Sequence, residues 1–475
     1  MTKQEFNKIT SQNTAAIIAP AGHGKTEMIV DMVEYVEGRQ LLLTHTHAGV
    51  DALQKRLNNR KVLKSKYVIS TIAAFCLKWG MSYYHTSAVD ITLSPYSTKA
   101  EAKRYYNQFY EGTIKLFQHE WVGKVLQSTY SGIIVDEYQD CTQSHHEAFQ
   151  ILSQYLPVRV LGDPLQGIFS FEGQQLVDWN NLGYQVVDVK TAPWRWHKSN
   201  PALGQYLTDI RDDLWPTLSG LQCSVNIDSC NGSICIVNPH NFNVYSMLKE
   251  FRMYKSVLYI SKWETQQKQF CLRYPSIFQL DEKQECEDLY KFAESFSNHS
   301  GSRLLLEIIE FEGKCATKVN SELKSFIKRL EKGSFDFSRI KKNQEFGELL
   351  IDVQNYDKHN TILCLLDWFE KNPIFKCYRK ELHSEMIRCV NYFRNHGVSI
   401  FEAAGHIRKD PTLQRRYQGF KCLSSRTLLS KGLEFDCVII DMSAPLSAKE
   451  FYVALTRAIK KIYILSPSKN ITLDP

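Results

Sequence analysis

The stretch AAIIAPAGHGKTEMIV, residues 15 to 30, limits what this chain can fold into more than any other. Its apolar start reads as a buried strand. Pro20 turns the backbone, Gly22 and Gly24 free it to bend, and Lys25-Thr26 opens an amphipathic, helix-like stretch. Small residues at such a corner let backbone N–H groups wrap an anion at a helix N-terminus. Lys25 adds a point charge for terminal phosphates, and Thr26 offers a hydroxyl to Mg2+. Ala19 to Thr26 fits the P-loop pattern, with Ala19 where the first glycine usually sits. Gly22, His23, Gly24, Lys25, Thr26 and Glu27 form the expected nucleotide-binding run.

A loop of this kind sits at the edge of a sheet, and the flanking sequence supplies one. AAIIA, QLLLTH, KYVIS, GIIVDE and VRVLGD read as short buried strands, with TEMIVDMVEYVEG and AGVDALQKRLNNR as helices between them. That alternation predicts an α/β fold with a parallel sheet covered by helices. From about 286 to 418 apolar residues recur three and four apart, as in KVNSELKSFIKRLEKG and ELHSEMIRCVNYFRNHG. Strand–helix–strand texture returns with CVIIDMSA, KEFYVALTRAIK and KIYILS. The predicted organisation is a first core at 1–80 and 131–191, interrupted by a helical insertion at 81–130. A second core at 192–285 and 419–475 is interrupted by a helical insertion at 286–418.

A second motif accompanies the loop. GIIVDEYQD, residues 132 to 140, is a strand ending in two carboxylates. Beside a phosphate site, Asp136 can hold the metal's water shell and Glu137 can take a proton from an attacking water. A third strand ends in VLGDPLQ, where the Gln166 amide is placed to sense a γ-phosphate.

With these residues in order, the chain resembles the superfamily 1 helicases of the UvrD/Rep type. APAGHGKT resembles that family's AGAGSGKT, LLLTHTHAGVDAL the segment that follows the DNA backbone, and STIAAFC its TxHSFC. DEYQD matches DExQD, GDPLQGIFSFEG resembles GDxxQxIYxFRGA, and WRWHKSN resembles its NYRS motif. LLSKGLEFDCVII and FYVALTRAIKKIYI are similar to the last two motifs. The resemblance implies two RecA-like P-loop domains, each with a helical accessory insertion, ATP and Mg2+ between them, and single-stranded or tailed DNA across both. It implies that Gln4 reads adenine, Trp194 stacks on it, and Glu434 bonds the ribose. Arg195 and Arg457 become arginine fingers toward the γ-phosphate, and Gln166 couples that phosphate to the DNA side. Thr46, His47, Thr71, Phe75 and Phe171 become candidate DNA contacts. Several positions depart from the family pattern, among them His23 for Ser or Thr, His47 for Asn, Glu172 for Arg, Leu428 for His and Trp194 for Tyr.

Composition adds bounds. A chain of 475 residues with 12% aromatics and 23% charged residues is long enough for several cores and unlike a disordered one. The net charge of +7 permits an anionic partner without demanding one. Thirteen scattered cysteines without a CxxC pair read as reduced thiols of a cytoplasmic protein, and no zinc-site spacing is visible among them. The N-terminus lacks a signal-peptide core, and no apolar run is long enough to span a membrane. Two function classes stay open. One is an ATP-dependent DNA helicase or translocase, with 3′ to 5′ polarity implied by the insert arrangement. The other is a nucleic-acid-sensing ATPase subunit that gates a partner effector, such as a nuclease in a prokaryotic defence system.

Overall fold

The computed structural model describes residues 2–92, 99–169, 175–282, 286–409 and 420–475. The chain divides into two compact units, Met1–Asn241 with Ser430–Pro475, and Phe242–Leu429.

In the first unit the expected strands form where the apolar runs predict them. They are β1 (Thr14–Ile18), β2 (Gln40–Thr44), β3 (Tyr67–Thr71), β4 (Gly132–Val135) and β5 (Val158–Gly162), joined at the edge by the short β6 (Gln185–Val186). The order is β3-β2-β4-β5-β1-β6, and the pairings are parallel. Both faces are covered, which is why these strands read as unbroken apolar runs rather than alternating ones. Ala15, Ile17, Leu42, Ile134 and Leu161 pack with Ile29, Val33, Leu53 and Leu57. Their neighbours Ala16, Leu41, Leu43, Ile133, Val135 and Val160 pack on the opposite face with Phe75, Phe117 and Phe149. Between β3 and β4 the described residues are helical: Ile72–Ser82, Tyr84–Ser87, Lys99–Phe117 and Glu120–Thr129.

Further strands are β7 (Cys223–Asn226) and β8 (Ile234–Val237) in the first unit, and β9 (Val257–Ile260), β10 (Gln279–Leu280) and β11 (Cys422–Ser425) in the second. The first unit ends with β12 (Phe435–Asp441), β13 (Ala458–Leu465) and β14 (Asn470–Leu473). The ladder β12-β13-β8 is parallel, and β14 pairs antiparallel with β7. TRAIK, expected to continue a helix, instead starts β13: the helix Ala448–Leu455 stops at Thr456, and Phe435 N–H donates to the Arg457 carbonyl. Parallel strands covered by helices thus recur along the chain, the architecture of two RecA-like α/β cores.

In the second unit, β10-β11-β9 is a parallel ladder. The described residues 286–409 hold helices and no strand, and Leu289, Phe292, Phe311, Leu365, Met386 and Ala403 share one core. The boundaries of the two units fall at 241/242 and 429/430. Local ties mark the second unit. Leu280 N–H donates to the Tyr378 carbonyl, and Arg379 holds Glu282 with 2.6 Å and 2.7 Å hydrogen bonds, so these strands group with the helices that follow. Among the described residues no helix is long and apolar enough to cross a membrane.

Candidate nucleotide-binding site

The loop after β1 has the backbone its sequence demands. Gly22 and Gly24 take φ of +71° and +85°, and Gly24 is the N-cap of helix Lys25–Tyr35 without a side-chain cap. The first N–H groups of that helix are left for an anion. A Cβ on Gly24 would lie 3.2 Å from Trp194 Cδ1. One on Gly22 would lie 2.7 Å from Trp196 Cζ3 and 2.9 Å from Arg195 Cβ. The cradle is therefore open only because both positions are glycine. Lys25 is buried, and its Nζ donates to the carbonyls of Ala19 at 3.0 Å and Pro20 at 3.4 Å. The ammonium is held over the loop, and Thr26 follows half-buried.

His23 replaces the usual hydroxyl residue and is fully used. Its Nδ1 lies 2.9 Å from Thr191 Oγ1 and its Nε2 3.1 Å from Thr208 Oγ1. Burial and the Lys25 charge push its pKa down to about 4, so it is a neutral anchor for the loop. Glu27 does not face the loop. It pairs with Arg56 and lies 3.7 Å from Arg60 at the end of the neighbouring helix, a partly exposed ion pair.

β4 delivers Asp136 and Glu137 from its C-terminal end. Asp136 Oδ1 accepts from Glu137 N–H at 2.9 Å, and Glu137 adopts φ +54°, a left-handed conformation that is costly outside glycine. Burial first, then the Glu137 charge, raises Asp136 to about 7. Burial works against ionisation of Glu137 as well, but Lys25, Lys431, the Gln139 amide and Arg457 outweigh it and hold Glu137 at about 2. This is a donor set that fits a divalent cation: a buried carboxyl kept protonated by its surroundings is one a cation would ionise.

Residues the sequence did not single out complete the polar floor. Gln139 donates to Glu137 and accepts from Asp163 N–H at 3.0 Å. Asp163, fully buried, takes Gln166 Nε2 at 3.1 Å and Arg211 at 3.1 Å and 3.2 Å. Lys431 donates to Asp140 and, at 2.7 Å, to the Gln166 carbonyl. Tyr452 Oη accepts from Ala21 N–H at 3.2 Å. Gln139 and Asp140 lie inside the quoted DEYQD, and Lys431 inside SKGLEF. Their place inside those motifs was the available signal, while Arg211 has no local one.

The two expected arginines lie in the same unit as the loop. Arg195 N–H donates to the Gly22 carbonyl at 3.1 Å, while its guanidinium donates to Glu434 at 2.7 Å and to the Thr456 carbonyl at 2.6 Å. Glu434, expected on a ribose, is thus paired with Arg195. Arg457 is 2% exposed and donates to the Val453 and Leu433 carbonyls and to Thr456 Oγ1. Among the described residues no carboxylate forms an ion pair with it. Burial and the Arg195 charge push its pKa down to about 9, with Glu137 pulling the other way. Trp194 is 62% exposed beside Gly24, with its ring 5.5 Å from that of His197. Gln4 is exposed on helix Lys3–Thr10.

The expected DNA contacts are less uniform. His47 is exposed, and Thr46 is exposed and caps helix His47–Asn59 by accepting from Gly49 N–H. Thr71 is buried as the N-cap of helix Ile72–Ser82. Phe75, expected as a stacking platform, is 5% exposed and packs against Phe117 with centroids 5.9 Å apart; its ring faces are spent on the core. Phe171 lies outside the described residues.

An AAA-domain family profile, of a kind found in UvrD/Rep-like helicases, matches residues 2–172. No curated protein sequence matches significantly. Among solved structures, arterivirus nonstructural protein 10, a helicase in complex with DNA, aligns at 10% identity with a TM-score of 0.36. The alignment covers 98% of this chain but 63% of that one, and at this score the likeness carries no weight. Residues 2–172, which hold the glycine cradle and the two strand-end carboxylates, are therefore similar to the AAA domain found in UvrD/Rep-like helicases.

Proposed function

We propose that the chain is an ATP-dependent translocase or helicase on single-stranded DNA, moving 3′ to 5′. Its motor would be two RecA-like cores, at 1–80 with 131–191 and at 192–285 with 419–475. One observation carries the reading. Arg457 is a guanidinium buried among carbonyls, in electrostatic reach of Glu137, with no carboxylate ion pair among the described residues. Such a charge is stabilised by an anion arriving from the cradle, which is what an arginine finger needs.

The geometry supports the following roles. The amides of the Gly22–Thr26 loop and Lys25 hold the phosphates. Thr26 and Asp136 would hold Mg2+, which supplies charge neutralisation between the phosphates when bound. Glu137, kept ionised by the surrounding cations, accepts the proton of the attacking water. Gln139 fixes the Glu137 carboxylate and, through Asp163, ties it to Gln166. Trp194 offers a stacking face to the base, and Gln4 its amide. Arg195 and Arg457 meet charge at the γ-phosphate. Loss of that phosphate removes the anion both respond to, so the closed arrangement loses its differential stabilisation. Thr46 and His47 remain the accessible candidates for the DNA strand.

The test is hydrolysis by purified protein with and without single-stranded DNA, combined with strand release from 3′- and 5′-tailed duplexes. Strong stimulation by DNA, loss of turnover in Lys25→Ala, and release from the 3′-tailed duplex are expected. Turnover indifferent to any polynucleotide would sink the reading. DNA-stimulated turnover without strand release would favour the effector-gating subunit instead.

A further inference from the structure

Outside the nucleotide machinery, three soft donors converge. His45 follows the last residue of β2, Cys141 follows Asp140 directly, and His145 lies in the first turn of helix Gln143–Leu152. One ring nitrogen of each histidine and the Cys141 Sγ all lie within 4.8 Å of one another. His45 Nε2 is 3.3 Å from that sulfur. Cys141 is fully buried and His145 is 5% exposed. His145 Nδ1 accepts from Thr142 N–H at 3.1 Å, which leaves Nε2 as a buried nitrogen with no hydrogen-bond partner among the described residues. A polar atom without a partner in a dry interior is costly and calls for an explanation.

We propose that His45, Cys141 and His145 form a binding site for a borderline-soft divalent transition ion, Zn2+ first among them. One thiolate and two imidazoles are the donor set such ions select over Mg2+ or Ca2+. The spacing helps: Cys141 and His145 are four residues apart across a helix start, so one turn brings both to the same point. His45 completes the set from 96 residues away, which is why cysteine spacing gave no hint of it. Burial keeps both rings uncharged, with His45 down to about 3 and His145 to about 4, and pushes the Cys141 thiol up, so the ion itself must supply the charge that ionises the thiol. Binding converts the Cys141 thiol to thiolate and releases one proton to solvent. His145 then ligates through Nε2 with its proton moved to Nδ1, which gives up the hydrogen bond from Thr142 N–H. Three protein donors leave a fourth position for water. The ion would staple the end of β2 to the DEYQD segment and to the helix behind it. This site stands independently of the motor reading.

The full-length protein, stripped with chelator and free of nucleotide, is titrated with Co2+. One equivalent per chain giving a thiolate-to-cobalt charge-transfer band, abolished by added Zn2+, is expected. Oxygen ligands at Thr26 and Asp136 give no such band, so the two sites are separable. Cys141→Ser should lose the band, while Cys437→Ser, which removes a buried thiol elsewhere, should keep it. Zn2+ should raise the melting temperature of the parent but not of Cys141→Ser. Should Cys141→Ser fail to fold, His45→Gln and His145→Asn report through the same band, which each should lose. No charge-transfer band at stoichiometric Co2+, or a band that survives in a folded His45→Gln, His145→Asn or Cys141→Ser protein, overturns the proposal.

Discussion

Two side chains show how burial sets chemistry at the residue scale. Arg457 bonds carbonyls and a hydroxyl rather than a carboxylate among the described residues. Arg457→Ala should therefore lower the DNA-stimulated kcat by roughly 10³-fold or more, the scale of arginine-finger losses, with nucleotide affinity changed far less. Steady-state hydrolysis set beside binding of a non-hydrolysable analogue checks it. Asp136 behaves differently. Its pKa is raised from 3.8 to about 7, so between those values the folded chain holds a proton that the unfolded chain has lost. Stability from this group is therefore greatest below pH 4 and falls as the pH rises to 7. A divalent cation reverses that trend, because it binds the ionised form. Added Mg2+ should raise the melting temperature more at pH 8 than at pH 6, and Asp136→Asn should lose that difference.

Elements were legible in the sequence where burial on both faces leaves unbroken apolar runs, as in LLL of β2 and GIIV of β4. The phosphate cradle was legible because glycine, lysine and threonine at that spacing have few other uses. What stayed hidden is long-range. Nothing local reveals that Arg211 would reach Asp163, that Lys431 would settle on Asp140, or that Tyr452 would meet Ala21. Phe75 misled for a related reason: an aromatic after a strand reads alike whether it faces solvent or a helix, and here Phe117 fills its side. Loop glycine is open to direct test. Gly24→Ala puts a Cβ 3.2 Å from Trp194 and forces φ +85° on alanine, a strain of about 1–2 kcal/mol. Nucleotide affinity should drop by about tenfold, as read by fluorescence titration with a labelled analogue. Gly220→Ala, at φ +80° with open space around it, should leave that affinity unchanged.

On the scale of the whole molecule, each unit carries charge inside it. In the second unit Arg379 is 4% exposed and reaches both Glu282 and Asp288. Removing the cation from such a cluster leaves carboxylates without compensation. Arg379→Met should cost about 3–5 kcal/mol, seen as a lowered urea midpoint. The first unit uses its interior charges at the cradle instead, where Asp163, Arg211, Asp140 and Lys431 hold one another beneath the loop. Helical texture announced the second unit's core, yet its buried ion pairs were silent, because Glu282 and Arg379 are separated by 97 residues.

The bond from Arg195 N–H to the Gly22 carbonyl is made by main-chain atoms, so no ordinary side-chain exchange can cut it. Arg195→Ala discards the guanidinium yet leaves the tether to the phosphate loop in place, whereas Arg195→Pro, lacking the N–H, severs it. Comparing that pair would tell apart what position 195 does by charge from what it does by holding on.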